Sequence, residues 1–156
     1  MVTEERYKKL KASAQRYTAY RERSPKEVRD KLAEWGASTT TISRILDELI
    51  VDKFVDEFRF AKAFCHDKFL INKWGKIRLS MELGKFGIGE DARKHGLDHL
   101  NAETYQDTIQ QLAEAKWEKL NEPDLFKKRQ KTTRYLLQKG FEGDLVWVVV
   151  NSMETD

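Results

Sequence analysis

The feature that most constrains this chain is that it repeats itself. Residues 24–49 lie over residues 75–100 at an offset of 51 without a gap: Val28 falls on Leu79, Leu32 on Leu83, Trp35 on Phe86, Gly36 on Gly87, Leu46 on Leu97 and Leu49 on Leu100. A third, more diverged copy follows at a further 53 residues, with Leu136 on Leu83, Gly140 on Gly87, Val150 on Leu97 and Met153 on Leu100. A unit of roughly fifty residues buries little core by itself, so stacked neighbours must complete one another. The expected organisation is three modules, residues 1–50, 51–101 and 102–156.

Each module has the grammar of helix, tight turn, helix. Ser24 suits a helix cap, Pro25 stands at the first helical position where its missing N–H costs nothing, and Glu27 reaches back to complete a capping box. Val28, Leu32 and Trp35 then share one helical face, and Gly36 ends the helix by taking the left-handed conformation. Ser38 or Thr39 caps the next helix, whose apolar face is Ile42, Ile45, Leu46 and Leu49. A longer amphipathic stretch precedes each pair, at about residues 4–22, 56–72 and 102–121, with Asp56 and Asn101 as N-caps of the second and third. The expected fold is all-α: three tandem three-helix repeats in an elongated, curved array. One segment disputes it. The run from Val146 to Val150 has the β-branched composition of a strand, yet the repeat alignment puts it on the last helix.

Composition narrows the function classes. Charged residues make up 35% of the chain, well above the usual share, and suit exposed helix faces. No stretch is apolar enough to span a bilayer, and MVTEERYKKLKA has charges where a signal peptide needs its apolar core, so a cytoplasmic protein without a membrane partner is expected. The single cysteine, Cys65, sits among phenylalanines and reads as a buried structural thiol. No nucleophile elbow, phosphate loop or zinc-protease motif occurs, so no catalytic residue and no cofactor is expected. His95 and His99 lie four apart with Asp91 on one face, a spacing that could seat a metal. Their counterparts in the first copy are Arg44 and Glu48, plain surface positions, so no metal is expected there either.

Three segments carry a family resemblance: AQRYTAYRERSPKEVRDKLAEWG, DEFRFAKAFCHDKF and WGKIRLSMELGKFGI, to which the third copy adds RYLLQKGF. Their order resembles the RecX family, whose pattern is an aromatic helix, Arg-x-Arg-Ser, a leucine helix ending in Gly, and an acidic start to a helix carrying Phe-Ala. The resemblance covers about residues 14–150. It implies a modular all-helical regulator that binds within the groove of the RecA filament on DNA and restrains its ATP hydrolysis and strand exchange. Three departures bear on detailed contacts: Lys68 where many members carry arginine, the linker FLINKW, and Gly96 inside a helix where the first copy has Ile45.

The net charge is only +3, but the cations cluster. All eight basic residues of the last third lie between Lys116 and Lys139. Candidate partner-binding or DNA-binding residues are Arg21 and Arg23 in the first copy, with Arg16 nearby; Arg59, Lys62, Lys73, Lys76 and Arg78 in the second; and Lys127, Lys128, Arg129, Lys131 and Arg134 in the third. Any one of these can be a solvated surface charge, whereas recurrence at helix starts suits an acidic filament groove or phosphates. Tyr17, Tyr20, Trp74 and Trp117 lie near these charges, where helical spacing favours packing over base stacking. The expected partners are the RecA filament and, weakly, single- or double-stranded DNA, with the chain itself a monomer. Two other readings stay open: a sequence-nonspecific DNA-binding helical module acting without RecA, and a scaffold that binds proteins alone.

Overall fold

The computed structural model describes residues 2–154, which form nine α-helices and no strand. These are α1 (Glu4–Tyr20), α2 (Pro25–Glu34) and α3 (Thr39–Val51); α4 (Glu57–Asn72), α5 (Lys76–Lys85) and α6 (Glu90–Asp98); and α7 (Ala102–Lys119), α8 (Leu125–Gln138) and α9 (Gly143–Asn151). The caps follow the sequence. Ser24 and Glu27 close the capping box of α2 reciprocally, at 3.1 and 3.0 Å. The side chains of Ser38, Asp56 and Asn101 accept the first backbone N–H groups of α3, α4 and α7.

The repeat is clearest at its glycines. Gly36, Gly87 and Gly140 all take positive φ, at 88°, 73° and 97°. In each copy the glycine N–H bonds three residues back and the following N–H bonds five residues back: Gly36 to Ala33 with Ala37 to Leu32, Gly87 to Gly84 with Ile88 to Leu83, and Gly140 to Leu137 with Phe141 to Leu136. This turn satisfies the orphan carbonyls of a helix end and needs a residue without a Cβ. The run from Val146 to Val150 is helical, as the alignment requires. Val146, Val149 and Val150 are buried on one face while Trp147 and Val148 are exposed, so packing on the neighbouring helices overrides strand propensity.

The chain forms two compact units that do not coincide with the three copies. One gathers the residues up to Phe64 with Leu83–Gly96. In it α1, α2 and α3 pack mutually around Tyr7, Leu10, Val28, Leu32, Ile45 and Leu49. Complete burial of an aliphatic side chain contributes roughly 1.5–3 kcal/mol, so this cluster dominates the unit's stability. Phe60 and Phe64 of α4 meet Phe86 at ring-centre distances of 5.5 and 5.6 Å. A Cβ on Gly96 would come within 2.6 Å of the Ala61 carbonyl oxygen, so this glycine lets α6 approach the α4 backbone.

The second unit comprises Cys65–Glu82 and the residues from Leu97 onward. Here α7, α8 and α9 pack mutually, with Ile109, Leu136, Phe141, Val146 and Val150 fully buried or nearly so. Tyr105 lies between Phe69 and Phe141, each 5.5 Å away between ring centres. Cys65 is buried, and that burial pushes its thiol up to about 12. Among the described residues no helix is long and apolar enough to cross a membrane.

Candidate partner-binding surface

The basic residues fall into two groups according to what their charges already do. In the first unit, Arg21 and Arg23 are a clamp. Both guanidinium groups meet Glu27, at 3.0 and 3.7 Å, and Glu27 is the same carboxylate that completes the α2 capping box. Arg23 also donates to the Tyr17 carbonyl at 3.1 Å and lies 3.9 Å from the centre of the Tyr17 ring. Its side chain is only 11% exposed, so little of it faces a partner. Arg16 bonds Ser13. Arg59 grips both oxygens of Glu22 at 2.6 and 2.5 Å and donates to the Lys53 carbonyl. These contacts join helices and linkers, and a short, partly covered arginine–carboxylate pair is largely neutralised. Lys62 remains exposed on α4.

In the second unit the charges are concentrated. The amide hydrogens of Gly75 and Ile77 at the α5 start donate to the carbonyls of Lys139 and Gly140, at 2.8 and 3.0 Å. That of Lys76 donates to the Tyr105 hydroxyl at 2.9 Å. Thus the α8–α9 turn caps α5 from another part of the chain, where the first copy uses Ser24. Cβ atoms at Gly75 or Gly140 would come within 2.3 Å of atoms across this contact, which is why glycine stands at both positions. Tyr105 in turn donates a short hydrogen bond to Glu142, and burial and this carboxylate raise its ionisation far above the ordinary tyrosine range.

This junction brings Lys73, Arg78 and Lys139 together. Lys139 Nζ donates to the Asn72 carbonyl at 2.5 Å. Its pKa is pushed below the ordinary lysine value, first by desolvation and then by the like charges of Arg78 and Lys73. The Arg78 guanidinium lies 4.3 Å from the Trp74 ring centre, and Lys76 Nζ lies 4.9 Å from that of Tyr105. None of Lys73, Lys76, Arg78 and Lys139 pairs with a carboxylate among the described residues. Lys73 ends α4 with a φ of 57°, a left-handed conformation that costs a lysine free energy. A tight cluster of cations that repel one another is relieved by a bound anion.

The cations of α8 divide. Asp124 caps this helix at 3.1 Å from the Lys127 amide nitrogen, and α8 has 14 residues where α2 and α5 have 10. Counted from the matched glycines, Arg129 corresponds to Lys76 and Lys131 to Arg78. Arg129 turns inward to donate to the Met153 carbonyl at 3.0 Å, and Lys131 pairs with Glu122 at 2.8 Å. Lys128 lies over the buried Trp117. Lys127 and Arg134 remain exposed. Of the aromatic residues near these charges, Tyr17, Trp74 and Trp117 are engaged in packing and cation contacts, whereas Tyr20 is 84% exposed. His95 meets Phe58 edge-on at 5.2 Å, and no group of three or more metal-ligating side chains occurs among the described residues.

Lys139 escaped the sequence reading, though a signal was present: it stands immediately before Gly140, where the other copies place the aromatics Trp35 and Phe86. A lysine at a position built for an aromatic is drawn in against the fold.

Models of the first, second and third three-helix domains of RecX match residues 11–49, 56–97 and 103–150. The chain belongs to the RecX family. It is 32% identical over 146 residues to a regulatory protein RecX of Clostridium perfringens, spanning 92% of this chain and 68% of that protein. A regulatory protein RecX of Ralstonia pickettii is 32% identical over 139 residues, 88% of this chain and 83% of that one. The crystal structure of RecX from Lactobacillus salivarius superposes with a TM-score of 0.85 at 23% identity, covering 94% of this chain and 95% of the other, so the RecX fold is shared throughout. A second RecX crystal structure gives a TM-score of 0.81 at 20% identity.

Proposed function

We propose that this RecX-family chain regulates recombination and DNA repair in the cytoplasm by binding, as a monomer, in the groove of the RecA filament and restraining its ATP hydrolysis and strand exchange. It performs no chemistry of its own. The observation that carries the reading is the cation cluster of Lys73, Arg78 and Lys139, held by the α5 junction without carboxylate partners among the described residues. Acidic subunit faces or phosphates along a nucleoprotein filament supply what such a cluster lacks. Family membership supports the same partner. Reversing Lys73 and Arg78 to glutamate tests it: the double variant melts as a helical protein yet loses control of ATP hydrolysis by RecA on single-stranded DNA. Retained control would sink the assignment of this cluster.

The same cations favour one second reading, a nonspecific DNA-binding module that needs no recombinase. It requires affinity for DNA alone that falls steeply with salt, because each phosphate contact releases counterions. Binding weaker than about 10⁻⁴ M near physiological salt, beyond the weak end of nonspecific association, removes it.

A further inference from the structure

The last two helices carry a groove that this function does not explain. Phe126, Leu137 and Trp147 line it, Val150 forms part of its floor, and its volume is about 610 Å³. Phe126 is 68% and Trp147 66% exposed. Leu137 also borders a smaller depression with the exposed Ile77 and Met81, so the apolar surface continues beyond the groove. Large aromatics are seldom left bare in such a group on a monomer without a partner to cover them.

The charge pattern says which partner. Arg129 and Arg134 line the groove and no aspartate or glutamate does. Arg129 has one nitrogen on the Met153 carbonyl and a buried Nε without an acceptor. Arg134 is exposed and pairs with no carboxylate among the described residues. We infer that the α8–α9 groove is a docking site for a protein segment that is both acidic and apolar, with an aliphatic or aromatic anchor in the groove and a carboxylate on Arg134. A nucleic-acid strand fits less well: Phe126 and Trp147 offer stacking faces, but the only cations lining the groove are Arg129, held on the Met153 carbonyl, and Arg134, too few for a track along a backbone. Nor does a second copy fit: a twofold contact would set one basic rim against the other. The inference concerns the chemistry of the occupant and stands whether or not the recombinase supplies it.

The test uses the whole chain with its tryptophan indoles labelled for NMR, the Trp147 signal being assigned with Trp147→Phe. The probes are a glutamate-rich helical peptide with leucine and phenylalanine on one face, its lysine-for-glutamate counterpart, and oligothymidylate. The acidic peptide is expected to shift the Trp147 signal saturably, less so at high salt, while the lysine peptide leaves it in place. Arg134→Glu weakens that binding about tenfold, as loss of one charge-assisted contact would. Phe126→Ala, at another exposed position, weakens it too. The inference is overturned by an unmoved Trp147, by equal shifts with the two peptides, or by a shift with oligothymidylate in place of the acidic peptide. A shift that grows with the chain's own concentration, without any probe, overturns it in favour of a second copy.

Discussion

Gly140 combines two demands that no other residue meets. Its φ is 97°, and a Cβ there would stand 2.3 Å from that of Arg78. Gly140→Ala should therefore lower stability by about 3 kcal/mol or more in urea unfolding, by backbone strain and overpacking together. Gly143→Ala is the control, because open space surrounds that position and α9 begins there. It should leave stability unchanged or raise it by about 0.5–1 kcal/mol. Lys73 presents the opposite case, a lysine held where glycine is at ease. Lys73→Gly should gain about 0.5–1 kcal/mol in the same measurement; if Lys73 acts in recognition as proposed, the same variant weakens partner binding. Burial places the Cys65 thiol at about 12, far above ordinary cysteine, so it should resist thiol reagents at mildly alkaline pH and react once denaturant opens the unit. Fast labelling of the native chain would contradict the packing described for α4.

At the scale of elements, the helices that sequence predicts well are those whose ends are written locally. The box of Ser24 and Glu27, the caps Ser38, Asp56 and Asn101, and the three glycine turns all depend on residues within five positions of one another. The start of α5 was not legible in the same way. Its donors end on the Lys139 and Gly140 carbonyls and on the Tyr105 hydroxyl, partners dozens of residues away. Tyr105→Phe deprives both the Lys76 amide and Glu142 of a partner and should cost about 1–3 kcal/mol, with exchange protection falling first at the α5 start. The candidate site was half legible for the same reason. Spacing singled out Arg21, Arg23 and Arg59 as cations, but only tertiary contact reveals that Glu27 and Glu22 already hold them. Arg129 and Lys131 are likewise engaged within their own unit. Of the candidates, Lys73 and Arg78 form the cluster that no carboxylate pairs with among the described residues, joined by Lys139, where a broken repeat position was the available clue.

At the scale of the molecule, the helices of the first copy pack together and those of the third do likewise, while the second copy is divided. The second copy contributes Cys65–Glu82 to one compact unit and Leu83–Gly96 to the other. Cutting the chain at its repeat boundaries would leave α5 without the turn that caps it, so an isolated second copy should show little helix by circular dichroism. The same sharing explains why the cluster belongs to the assembled fold: Lys73 and Arg78 come from one copy and Lys139 from the next, and Gly75 and Gly140 allow their backbones to touch. A surface of this kind exists only when the copies are joined. The most direct measurement of this account is ATP hydrolysis by RecA assembled on single-stranded DNA, followed as the chain is added below one molecule per recombinase subunit. The wild-type chain is expected to slow hydrolysis, and the variant with Lys73→Glu and Arg78→Glu to leave it unchanged. A rate unchanged by the wild-type chain, even in large molar excess, would contradict this expectation.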